Sequence, residues 1–181
     1  TSIYVSAGPR VSFDLRDDPL DPRAGVYAEL ETSFAKGLDS GSPDHLKLAG
    51  QINGYVPLGR GAVLALALIG RRLFPFGSEE IPINRRYFAG GRSTVRGYPE
   101  QSLFPEDVPR DENGHALASV SPGGELFVAL KSEVRLPIYQ AISIVGFFDV
   151  GDLFLDAANF TINKRTPMGA GGGVRVATPV G

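Results

Sequence analysis

The 181-residue chain reads as an all-β protein, about seven antiparallel strands in a meander patterned as part of a transmembrane β-barrel. Three observations lead there. Apolar and polar residues alternate with period two over segments of about ten residues, the length a tilted strand needs to cross a bilayer. The connections alternate between short turns and long loops. No run reaches the ~18 uninterrupted apolar residues of a membrane helix, the nearest being Ala62 to Ile69. A soluble sandwich or Greek key carries the same alternation, so strand pattern by itself leaves that fold open.

In the first segment Ile3, Val5, Ala7, Val11, Phe13 and Leu15 oppose Tyr4, Ser6, Arg10, Ser12, Asp14 and Arg16. The second sets Val26, Ala28, Leu30 and Phe34 against Tyr27, Glu29, Glu31 and Ser33, and the third sets Leu46, Leu48, Ile52, Val56 and Leu58 against Lys47, Gln51, Asn53 and Tyr55. The fourth, Ala62 to Arg71, is apolar on both faces. The fifth is the clearest, with Leu126, Val128, Leu130, Val134, Leu136 and Ile138 against Glu125, Lys131, Glu133 and Arg135. The sixth sets Ile142, Ile144, Phe148 and Val150 against Ala141, Ser143, Phe147 and Asp149. The seventh sets Ala170, Val174, Val176 and Val180 against a glycine run and Arg175, which leaves space on the inner face. Turns at Asp17 to Gly25, Gly59 to Gly61 and Tyr139 to Gln140 are short; those at Lys36 to Asp44, Leu73 to Gly123 and Leu153 to Pro167 are longer, an asymmetry typical of outer-membrane barrels.

Composition narrows the chemistry. A hydrophobic content of 43% with 21% charged residues is ordinary for a folded protein, and a net charge of −2 offers no basic footprint for nucleic acid. The absence of cysteine removes thiolate metal sites and nucleophiles, leaving His45 and His115, both in expected loops and read as solvated. No metal site, cofactor or catalytic residue is expected. Ser93 and Thr94 have no histidine placed to activate them. Glu133 and Asp149 have the spacing of a glycosidase pair but no aromatic platform, there being no tryptophan. Glu79-Glu80 and Glu106-Asp107 are acidic pairs of a kind more often solvated than metal-bound. Gly169 to Gly173 precedes no helix, so a dinucleotide loop fails.

The connection between the fourth and fifth segments, about 73–123, is longer than the ~12–15 residues that loops rarely exceed. It holds Tyr87-Phe88-Ala89-Gly90-Gly91-Arg92-Ser93-Thr94-Val95-Arg96-Gly97-Tyr98. The Gly-Lys-Ser/Thr ending of a phosphate loop is absent, and no helix follows. Together with Asp14-Leu15-Arg16-Asp17-Asp18-Pro19, Pro22-Arg23-Ala24-Gly25, Phe147-Phe148-Asp149-Val150-Gly151 and the ending Gly173 to Gly181, this motif resembles the C-terminal barrel of the BamA/TamA outer-membrane assembly superfamily, whose fold related organelle and two-partner secretion pores share.

The resemblance implies that residues 1–181 are the C-terminal half of a barrel of about 16 strands, with upstream periplasmic repeats and the last strands lying outside it. It implies a loop folded back into the barrel through Gly90, Gly91, Val95, Arg96, Gly97 and Tyr98, with Arg96 meeting Glu133 and Asp149 and Tyr98 covering the arginine stem. The strand faces independently put both carboxylates inward. Without the resemblance, Arg96 reads as a solvated loop residue and Glu133 as paired with Lys131 or Arg135. The implied function is insertion or translocation of β-barrel or secreted proteins at the outer membrane. The implied partners are unfolded substrate proteins, outer-membrane lipid and, through the upstream repeats, accessory lipoproteins or an inner-membrane protein. A passive channel or two-partner secretion pore, with Arg10, Glu29, Lys131 and Arg175 setting conductance, is the alternative.

Overall fold

A computed structural model describes residues 2–39, 41–77, 80–139, 141–161 and 166–176. They form one eight-stranded antiparallel sheet: β1 (Tyr4–Ala7), β2 (Arg10–Asp14), β3 (Gly25–Gly37), β4 (His45–Gly59), β5 (Ala62–Pro75), β6 (Leu126–Tyr139), β7 (Ile142–Phe154) and β8 (Met168–Val176). Each strand from β3 to β7 pairs with its predecessor and successor, β8 pairs with β7, and β1 and β2 both pair with β3.

The eighth strand comes from a break in the first expected segment. Gly8 and Pro9 interrupt it without changing register, since Ala7 faces Phe34 before the break and Arg10 faces Glu31 after it. Proline has no N–H to give to the ladder, but its carbonyl still accepts from the Thr32 N–H at 3.0 Å. Seven lanes therefore hold eight strands. The long connection spans residues 76–125, because β5 runs on to Pro75 and β6 starts at Leu126. Val180, Glu79 and Gln140 lie outside the described residues.

Period two sorts the residues onto two faces. One row crosses every lane: Phe13, Ala28, Ile52, Leu68, Leu130, Val150 and Met168 sit opposite one another in turn. Ile52, Leu68 and Leu130 remain about half exposed, at 53%, 49% and 48%. A continuous band of such residues is what a strand wall shows to lipid tails. The neighbouring row, Asp14, Tyr27, Asn53, Ala67, Lys131, Asp149 and Gly169, is mostly polar and faces inward.

β5 departs from this division for a physical reason. Val63 and Ile69 point inward, yet they are only 4% and 8% exposed. Ile69 joins Phe127, Ala129 and Leu153 from the wall and Ala89, Val95 and Leu103 from the long connection in one apolar cluster, with Tyr87 and Tyr98 packed on it. Around Ile69 the inner face of β5 is apolar because a loop covers it. His45 also differs from expectation: it opens β4 and is 1% exposed, with its ring edge-on to Tyr4. His115 is exposed beside Asp111.

A charge placed on the outward row should be penalised as in a bilayer. Leu68→Arg should lower the stability of the barrel that carries this chain by about 2–4 kcal/mol, read as a lower denaturant midpoint in lipid vesicles.

Candidate functional site

The long connection turns back over the inner wall because its ends and middle are fixed separately. Tyr87 and Gly124 exchange both backbone hydrogen bonds, at 2.9 and 2.8 Å, which closes the loop at its base. Further along, the Asp107 carboxylate accepts from the backbone N–H groups of Leu155 and Asp156, at 2.6 and 2.9 Å, and from the Asn159 amide at 3.0 Å. Asp107, one of the acidic pair read as solvated, thus binds the loop to the end of β7. The tip between these points carries the glycine-rich motif. Gly90, Gly91 and Gly97 have φ of 108°, 89° and 96°, a region L side chains rarely enter. The Thr94 hydroxyl closes the first turn, accepting from the Gly90 N–H at 2.8 Å and donating to the Gly90 carbonyl at 2.7 Å.

This backbone sends two consecutive side chains different ways. Val95 is 0% exposed and enters the apolar cluster, while Arg96 reaches the polar row of β6 and β7. The Arg96 Nε–H and Nη2–H donate to the two oxygens of Asp149, each at 2.7 Å, and the Arg96 backbone N–H donates to Asp149 Oδ2 at 3.1 Å. Nη1 donates to Glu133 Oε2 at 2.8 Å. Asp149 is 0% exposed, so its charge would be costly without these donors. Arg135 donates to the other oxygen of Glu133 at 2.9 Å, and Lys131 lies 4.0 Å from Asp149 while donating to the Arg92 carbonyl at 2.7 Å. Three cations and two carboxylates make one connected row. Its Asp149 hydrogen bonds hold the Arg96 guanidinium above its usual pKa, against the opposing effect of partial burial.

Phe147 and Gly169 complete the seat, and sequence reasoning had assigned neither a role. The guanidinium carbon of Arg96 lies 3.9 Å from the centre of the Phe147 ring, a stacked cation–π contact. Tyr98, expected on the arginine stem, packs on the apolar cluster. A Cβ at Gly169 would lie 1.8 Å from the Arg96 carbonyl oxygen, and one at Gly171 would lie 2.8 Å from the Phe147 ring. The inner glycine run was legible as empty space; what fills it is loop backbone and an aromatic ring. Two further inward charges are paired, Arg10 with Glu31 at 2.5 Å and Arg175 with Asp21 at 3.1 Å. No group of three metal-ligating side chains occurs among the described residues.

A family model described as the Omp85 superfamily domain matches residues 1–181. The chain belongs to the Omp85 superfamily. Among curated Omp85-like relatives, it is 25% identical over 182 residues to the outer membrane protein assembly factor BamA of Nitratidesulfovibrio vulgaris, covering 99% of this chain and 22% of that protein. It is 27% identical over 105 residues to the sorting and assembly machinery component 50 homolog of Mus musculus, covering 58% of this chain and 22% of that one. The crystal structure of BamA from Haemophilus ducreyi lacking POTRA domains 1–3 superposes with a TM-score of 0.74 at 21% identity, over 93% of this chain and 35% of that one. The chain thus spans about a fifth of the length of these curated relatives, and its sheet is part of an outer-membrane Omp85 barrel.

The close approach at Gly169 gives a sharp comparison. Gly169→Val should push the loop off the wall and open the Arg92 and Arg96 peptide bonds to trypsin in the folded barrel. Gly173→Ala, whose Cβ meets nothing within 4 Å, should leave them protected. Tyr87 gives a pH test. Burial raises its hydroxyl to about 12, and it donates to the Leu48 carbonyl at 3.2 Å. A free tyrosine ionises near pH ~10, so the docked loop holds this proton more tightly than the undocked one. Its contribution is complete below pH ~10 and is lost as pH rises toward 12. Loop protection should fall over that window in the native protein and fall less in Tyr87→Phe.

Proposed function

We propose that this chain forms the wall and internal loop of a factor that inserts or translocates β-barrel or secreted proteins at the outer membrane, and that Arg96 holds the loop in the working position. The single observation that carries this reading is the Arg96 guanidinium shared between Asp149 and Glu133 on adjacent strands. The relatives' names, an outer membrane protein assembly factor and a sorting and assembly machinery component, support it at the level of the family. Unfolded client proteins and outer-membrane lipid are the partners this function requires, with accessory lipoproteins or an inner-membrane protein reached through periplasmic repeats.

Catalysis of a covalent step is not part of the proposal. A strand wall promotes insertion by offering backbone edges and a lipid-facing surface to an incoming strand, which needs shape and not a reacting group. Holding the loop inside fixes the wall's inner face while its outer face works. The pore alternative fares less well, because the loop packs on the inner wall at Ile69, Phe127, Ala129 and Leu153, and the charges that reading names, Arg10, Glu29, Lys131 and Arg175, lie in ion pairs.

Cells carrying only Arg96→Ala should keep a folded, heat-shiftable barrel in the outer membrane while the amounts of other outer-membrane proteins fall several-fold. Normal levels of those proteins would defeat the reading. Steady ion flow in planar bilayers, with no assembly defect on depletion, would favour a passive pore.

A further inference from the structure

Away from Arg96, a cavity of about 360 Å³ opens between the inner faces of β3, β4 and β5 and the first part of the long loop. Lys47 on β4, Arg71 on β5 and Arg85 in the loop line it, beside His45 and Tyr87. None of these three cations pairs with a carboxylate among the described residues. Each rests over an aromatic ring, Lys47 over Tyr87 at 5.2 Å, Arg71 over Phe127 at 5.7 Å and Arg85 over Tyr4 at 4.2 Å. Glu31, the carboxylate among the described lining residues, is held by Arg10 at 2.5 Å, and Glu80 of the loop is held by Arg86 at 2.5 Å.

Buried polar atoms point the same way. His45 is 1% exposed, and its Nδ1 lies 3.1 Å from the Pro43 carbonyl. A carbonyl only accepts, so Nδ1 carries the proton and Nε2 of the neutral ring is left as a lone pair, with no partner. The Nε of Arg85, another lining residue, is likewise buried and unpartnered. Clustered like charges repel, and buried polar atoms without partners are costly. An anion with both charged oxygens and a hydroxyl would relieve each of these costs.

We propose that this cavity binds a phosphate-type oxyanion. Lys47, Arg71 and Arg85 hold its charged oxygens, and a phosphate hydroxyl donates to His45 Nε2. Sulfate has the charge but no such hydroxyl at neutral pH, so the site distinguishes the two. Free phosphate and the phosphomonoester of a lipid headgroup share this chemistry. The site is separate from the Arg96 anchor and does not rest on the assembly reading.

The test is calorimetry on the intact protein that carries this chain, in detergent micelles, with inorganic phosphate as the probe. Saturable binding is expected, with sulfate weaker. Lys47→Gln and Arg85→Gln should each weaken phosphate about tenfold or more, as loss of a charge-assisted hydrogen bond does, while the heat-dependent gel shift shows both variants folded. Phosphatidic acid added to the micelles separates the sources: displacement of bound phosphate by the lipid assigns the site to a headgroup, and no displacement assigns it to free phosphate. Absence of saturable binding by either probe, or unchanged affinity in both folded variants, overturns the proposal.

Discussion

Burying one guanidinium between two carboxylates is the constraint to which the rest of this inner wall conforms. Asp149 has no access to solvent, and three of the donors that satisfy it come from a single loop residue, through its backbone as well as its side chain. That arrangement demands that the loop backbone itself come close to the wall, which only a strand without side chains allows. β8 supplies it with Gly169 and Gly171. Phe147 then occupies the opened space and presents its face to the charge. The polar contact, the glycine run and the aromatic ring are three consequences of one requirement, that a planar cation be desolvated where its partners are fixed.

The apolar side of the same loop performs a different task. A single twisted sheet with lipid on one face has no second layer against which to bury the other face, and the long connection provides that layer. Val95, Ala89 and Leu103 meet Ile69, Phe127, Ala129 and Leu153, so the sheet's interior is completed by its own insertion. Adjacent residues Val95 and Arg96 divide the two duties. Apolar contact attaches the loop to the wall, and the ion-paired row gives it a single position, since displacement would strip the buried Asp149 of its three Arg96 donors.

Period-two alternation made the strands and their faces legible, down to the inward placement of Glu133 and Asp149, because lipid and lumen impose opposite chemistry on neighbouring residues. Gly8 and Pro9 hid a strand break, since proline removes a ladder bond without altering the alternation on either side. β5 looked ambiguous because its inner face around Ile69 meets loop and not water. Phe147 reads as an inward strand residue with no assigned partner, and Asp107 as solvated; each acquires its role from a partner about 50 residues away, and sequence periodicity carries no information at that range. His45 read as a loop histidine for lack of any local signal of the closing strand and the Tyr4 ring around it.

Glu133 and Asp149 are diagonal neighbours, since Asp149 faces Lys131 while Glu133 faces Phe147 across the ladder between β6 and β7. A slip of one residue between those strands would turn one of the two carboxylates toward lipid, leaving the arginine a single anchor. Arg96 can therefore complete its contacts only after β6, β7 and β8 have found their mutual alignment. In the folding of the chain, loop closure becomes a late event that rewards correct strand alignment and leaves a misaligned wall unsealed.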